Sequence, residues 1–167
     1  MIQELFPDAK NVGIIYCSGE PNSVSIEVVK AALEKAGCTV NTYTFSDTND
    51  VVSVTGTASD ANDVLYIPTD NTAASCAEAI KSAAKKPIIA AGGHLQGCGV
   101  ATLSIDYYEL GRMTGAMGAD ILEGKKTPGE IPVGFQTAQK PFINLKVAQS
   151  IGLELPQALL ERSNIQK

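Results

Sequence analysis

Cys17 opens the stretch CSGEPNSV, residues 17–24, which follows an apolar run and leads into a helical pattern. A thiol just ahead of a helix N-terminus has its pKa lowered by the helix dipole, which makes Cys17 a candidate nucleophile. His94, the single histidine of the chain, is the base that would serve it. A phosphate-binding cysteine loop of the tyrosine-phosphatase kind has arginine where this chain has Ser23, and no arginine lies near. One cysteine and one histidine make a sparse catalytic set, and a non-catalytic rim cysteine is the simpler reading. Cys38, Cys76 and Cys98 are widely spaced and form no CxxC pair, so no zinc ligand set is expected. All four cysteines read as small apolar residues.

Two further chemistries need residues that are missing. A phosphoacceptor receiver requires an acidic pair after its first strand, an aspartate after the third and a lysine after the fifth. Asp70 meets the second demand, but Tyr16 and Cys17 are not acidic, and Ile105 and Asp106 stand where the lysine would be. An FMN loop would use the hydroxyls of this first stretch, but Glu20 repels a phosphate dianion at close range. The chain also has no tryptophan to stack on an isoalloxazine. No cofactor is therefore expected. A flavodoxin-like FMN-binding or cysteine-dependent enzyme domain stands as the alternative.

A zwitterionic ligand suits the same residues better. Ser18, Ser23, Thr69, Asn71 and Thr72 offer neutral hydrogen bonds, and helix N-termini attract a carboxylate. Glu20, Asp70 and Asp106 offer negative charge to an ammonium group. Plain capping explains some of them equally well: Asp70, Asn71 and Thr72 as N-caps, Glu20 as a first-turn dipole partner. Pattern alone leaves binding and capping evenly balanced.

What would bring these residues together is an alternation of strands and helices. Residues 12–16 (VGIIY) form a continuous apolar run, the pattern of a strand covered on both faces. Pro21 fits a first helical turn; Ile26, Val29, Leu33 and Ala36 recur at helical spacing, and Gly37 supplies a left-handed stop. Thr39–Phe45 is β-branched and aromatic but half polar, an edge strand. Residues 47–59 read as a weak helix with Asp50 as its cap. Val64–Ile67 is a buried strand ended by Pro68, and TDNT (69–72) opens a helix of small residues to about 84. Residues 87–91 and 100–105 are further strands, joined by the loop GGHLQGCG (92–99). A helix runs from about 107 to 122, ended by Gly124.

This order implies α/β architecture: a doubly wound, mainly parallel five-stranded sheet in the flavodoxin-like order 2-1-3-4-5, with right-handed crossovers. Ligands in such sheets bind outside the carboxyl ends of the strands, near the switch point between strands one and three. Residues 17–23, 69–72 and 92–97 fall along that rim. After Gly124 the Pro- and Gly-punctuated stretch 127–141 reads as an extended connector with one strand at most. Residues 143–156 and 157–162 each hold a short helix.

At 167 residues and 44% hydrophobic content, the chain can bury a real core. A net charge of −5 with scattered lysines argues against nucleic acid, which requires clustered basic residues. No run reaches the ~20 apolar residues of a bilayer span. The first ten residues carry no basic start and no apolar core, so no signal peptide is expected, and the chain as written would be cytoplasmic.

AKNVGIIYCSGEPNSV (9–24), LYIPTDNTAAS (65–75), ATLSIDYYELGRMTGAMGADILEGKKTPGEIPV (101–133) and INLKVAQSIGLELPQALLER (143–162) closely resemble one family. It is the ABC-transporter substrate-binding proteins of the tryptophan/aromatic amino-acid type, with a type I periplasmic-binding-protein fold. The likeness covers nearly the whole chain, and EPNS, PTDNT and IDYYxLG in that order carry it. It implies a non-enzymatic solute-binding lobe for an amino acid, an ABC permease as partner, and a periplasmic or surface-lipoprotein setting. The family has two lobes with ligand between them, and the resemblance here is to the C-terminal half only. The loop GGHLQGCG departs from the acidic or hydroxyl-rich stretch usual there.

Carried over by position, Ser18, Glu20, Asn22 and Ser23 match the first ligand loop, and Thr69, Asp70 and Asn71 the second. Asp106 and Tyr107 match the crossover towards the first lobe. Residues 1–126 then form the second-lobe-like α/β domain, and 127–167 a connector with C-terminal helices packing on it. In the family, the segment matching 101–124 packs on the first lobe. Without that partner, Leu110, Met113, Met117 and Ile121 need other cover. Fold-back onto the chain's own sheet as a fifth flavodoxin-like helix is the expected solution, because local closure costs little entropy. The alternative is a homodimer through 101–124.

Overall fold

The apolar run at 12–16 forms the middle of strand β1 (Asn11–Cys17), where Val12, Ile14 and Ile15 are fully buried. The computed structural model describes residues 1–19, 22–95, 97–136 and 141–166. In it β1 lies between β2 (Thr39–Phe45) and β3 (Val64–Ile67), parallel to both. β4 (Ile88–Ala91) pairs parallel with β3, and β5 (Ala101–Leu103) parallel with β4. This is the order 2-1-3-4-5, with the half-polar β2 at the sheet edge as its composition requires.

The sheet does not stop at β5. β6 (Pro141–Asn144) adds antiparallel to β5, and β7 (Asn164–Gln166) adds parallel to β6. Among the described residues the sheet thus has seven strands, in the order β2-β1-β3-β4-β5-β6-β7, where five were expected. The two additions are too short to show a period. One begins with proline, and the other, NIQ, has no buried residue.

Strand alternation divides the core into two layers. Ile15, Leu65, Ile67 and Ile88 face one side, covered by Val51 and Ala58 of α3 (Val51–Ala61), Ala73 of α4 (Asn71–Ser75) and Ile80 of α5 (Ala77–Ala83). Val12, Val64, Ile89, Ala101 and Ile143 face the other. There they meet Ile2 and Leu5 of α1 (Ile2–Leu5), Ala148 of a helix at Leu145–Ser150 and Leu159 of a helix at Gln157–Glu161. Helix α2 (Ser23–Lys35) lies over this second face through Leu33 and is followed by Gly37, whose φ is +90°.

Two local expectations change. Asp50 makes no side-chain cap for α3; Asp47 instead accepts a bond from the Asn49 N–H at 2.8 Å, opening a short 3₁₀ turn before the helix. The helix expected to open in 69–72 and run to about 84 is broken at Cys76, which ends α4 and starts α5.

The largest correction concerns the helix at Tyr107–Leu122, none of whose residues is buried. It does not fold back on the sheet. Its side carrying Leu110, Met113, Met117 and Ile121 faces the chain that follows it, and with Pro128, Ile131, Pro132 and Val133 lines a cleft of about 400 Å³. The reason lies at β5 and β6. The face that a returning helix would cover is already filled by Ala148 and Leu159 from the C-terminal helices.

Candidate ligand-binding rim

β1 and β3 are neighbours running in the same direction, so the loops after them emerge together at one edge of the sheet. Asp70 joins the two loops. It is 3% exposed, and one carboxylate oxygen, Oδ2, accepts from the Cys17 N–H at 2.7 Å and the Asn22 Nδ2 at 2.9 Å. The other, Oδ1, accepts from the Ala73 N–H at 2.7 Å and so caps α4. Bonds to an ionised acceptor are stronger than neutral ones. Asn22, itself buried, precedes the helix at Ser23–Lys35 but gives it no side-chain cap, since its amide is turned to Asp70.

The exposed neutral groups sit around this buried centre. Ser18 is exposed; its N–H donates to the Phe45 carbonyl at 2.9 Å and its hydroxyl reaches the same oxygen at 3.4 Å, tying the loop to the end of β2. Thr69 is exposed and lies against Gly92, where a Cβ would come within 3.2 Å of the Thr69 Oγ1. This contact brings the loop after β4 onto the same rim. Asn71 is exposed beside them.

Asp106 and Tyr107 stand apart from this group. They follow β5, which lies two strands beyond β3, about 10 Å away at normal strand spacing. The Asp106 Oδ1 accepts from the Tyr108 and Glu109 N–H groups at 3.0 and 3.1 Å, capping the helix. Its backbone N–H donates to the Gln136 Oε1 at 2.8 Å, and its carbonyl accepts from the Gln136 Nε2 at 3.1 Å. Gln136 was not singled out in the sequence, because its partner lies thirty positions away and nothing local announces the pair. Tyr107 is 56% exposed at the start of the helix. Glu20 lies outside the described residues, as do the side chains of Ser23 and His94.

The structure therefore gathers Ser18, Asn22, Thr69, Asp70 and Asn71 at the switch point between β1 and β3. It sets Asp106 and Tyr107 at a second position on the same edge. Cys17 is buried in the same core cluster as Phe45 and Ala73. Cys98 is also buried; its thiol donates to the Ala77 carbonyl at 3.5 Å. Desolvation, helped by the nearby Glu78 charge and opposed by Lys81, pushes that thiol up to about 11. Among the described residues no cluster of three or more His, Cys, Asp or Glu is placed to hold a metal ion. No helix among them is long and apolar enough to cross a membrane.

A tyrosine-binding protein of Clostridioides difficile (strain R20291) is 30% identical over 159 residues, 92% of this chain and 46% of that protein. Among solved structures, an ABC domain from Streptococcus pneumonia in complex with L-Trp superposes with a TM-score of 0.83 at 34% identity. It covers 98% of this chain and 57% of its own. A conserved domain protein from Vibrio cholerae superposes with a TM-score of 0.84 at 34% identity, covering 99% of this chain and 57% of its own. The chain thus spans about half the length of the relatives it matches. The family described as ABC transporter substrate binding protein matches across residues 1–167, and the chain belongs to it.

Proposed function

We propose that the rim over β1 and β3 is one wall of a site for a free amino acid with an aromatic side chain. The ligand would be delivered to an ABC permease at the periplasmic or surface face of a membrane. The observation that carries this is the grouping of neutral hydrogen-bonding residues, Ser18, Thr69 and Asn71, around the Asp70 centre at the switch point. The polar groups of a zwitterion can be read there without a bound metal or cofactor. Tyrosine and L-Trp, the ligands named for the Clostridioides and Streptococcus relatives, support an aromatic side chain. Asp106 and Tyr107, at the start of the uncovered helix, complete the ligand set from the side where a second wall would stand. The role is binding without turnover, so Cys17 is structural.

One wall leaves a ligand half solvated, so this chain alone should bind weakly. The test is titration with L-tryptophan, L-tyrosine and L-phenylalanine, followed by calorimetry and by backbone amide NMR. Millimolar binding with shifts confined to residues 17–19, 69–72 and 106–108 is expected. Micromolar binding would refute the single wall, and the absence of rim shifts would refute the ligand class. The uncovered helix gives a second measurement, since a stable dimer in light scattering would mean that a second copy supplies the cover.

A further inference from the structure

We infer that Asp70 is a positioning residue of this rim, not the counter-ion of a ligand's ammonium group, an assignment that rests on the amino-acid reading above. A counter-ion must present a carboxylate oxygen to the ligand. Asp70 is 3% exposed, and its two oxygens already accept three N–H groups at 2.7 to 2.9 Å. A carboxylate has about four acceptor sites in all.

The donors it holds are informative. Cys17 and Asn22 are the two ends of the CSGEPN loop, and both bond to the same oxygen, Oδ2. One atom from the β3 loop therefore ties Cys17 to Asn22, and with Cys17 the placement of its neighbour Ser18. The other oxygen fixes the first turn of α4, and so the direction in which Asn71 leaves the strand. Both ligand loops are set by one buried charge.

The two roles differ in which ligands they affect. A counter-ion matters only to a ligand that carries an ammonium group, whereas a brace matters equally to any ligand that touches the loops. The experiment compares L-tryptophan with 3-indolepropionate, which lacks the amino group, by NMR titration of the unaltered protein and of Asp70→Asn, Asn22→Ala and the double variant. Asp70→Asn should weaken both ligands by the same factor, about tenfold. Asn22→Ala should weaken both by less, and adding it to Asp70→Asn should change little, because the two residues act as one unit. In the ligand-free Asp70→Asn protein, hydrogen exchange at the Cys17 amide should quicken while amides in β3 and β4 keep their protection. A merely global loss of stability would speed all of them together.

Loss of tryptophan affinity with indolepropionate unchanged would overturn the assignment in favour of a counter-ion. Unchanged binding of both ligands would reduce Asp70 to a helix cap and overturn it too. If neither ligand moves a rim amide in the unaltered protein, the amino-acid reading falls and this assignment with it. The Cys17 exchange rate would still show that the brace exists.

Discussion

β1 and the helix at Tyr107–Leu122 are both apolar on paper, yet they end in opposite environments. β1 gives Val12, Ile14 and Ile15 to the interior with no exposure at all, while the sixteen residues of the helix contribute none. The strand is covered because its neighbours β2 and β3 hold it between two helical layers. The helix has the following chain on one side; on another it shows Tyr108, Gly111, Gly115 and Leu122 to solvent. An apolar stripe says that a face is built to be covered. It does not say by what.

That contrast can be broken by substitution. Leu65→Ala, at a fully buried position in β3, should lower stability by about 3 kcal/mol, because the cavity cannot collapse between two covered faces; denaturant unfolding measures it. The next largest effect follows from Cys98. Its thiol titrates near 11 in the folded chain and lower in the unfolded one, so the folded state holds the proton longer. The stabilisation is fully present below the unfolded value and is lost as pH rises through about 11. The loss is on the order of 2 kcal/mol. Thermal melts between pH 8 and 11 should show this fall, and Cys98→Ala should flatten it.

On the uncovered helix the signs change. Gly115→Ala meets no atom within 4 Å and should stabilise the chain by about 1 kcal/mol through helix propensity alone. If this face docks on a partner lobe or a second copy, the same methyl should weaken that association, which co-sedimentation would detect. Smallest of all, Leu122→Ala, at a residue 90% exposed, should change stability by less than about 0.5 kcal/mol. A loss of 2 kcal/mol there would mean that the helix is covered in solution.

How much of this could be read from the residues divides along the same line. VGIIY, VLYI and the 87–91 run announced β1, β3 and β4 because strands buried on both faces leave unbroken apolar stretches. The polar edge character of β2 was legible for the complementary reason. β6 and β7 were not, since PFIN and NIQ are held by pairing onto a sheet edge rather than by any period of their own. The fold-back of the 107–122 helix failed because its expected place is taken by Ala148 and Leu159, residues more than twenty-five positions further on. At the rim, the sequence picked out Asn22 and Asp70. What it left open was whether Asp70 binds a ligand or caps a helix, and it gave no sign of the Asp70–Asn22 contact, which crosses 48 positions.

The antiparallel pairing of β5 and β6 has a further consequence. The chain leaves the sheet at Leu103 and returns at Pro141, and these two residues face each other on one rung of the ladder. The described residues 104–136 therefore belong to a detour whose two anchors, Leu103 and Pro141, already meet, as the ends of a hairpin do. Such a stretch can lengthen, shorten or be exchanged wholesale while every strand register outside it stays as it is. The detour behaves as a cassette: a short turn in its place would still close β5 onto β6, and a foreign segment spliced there would inherit a rigid platform with no changes to the core.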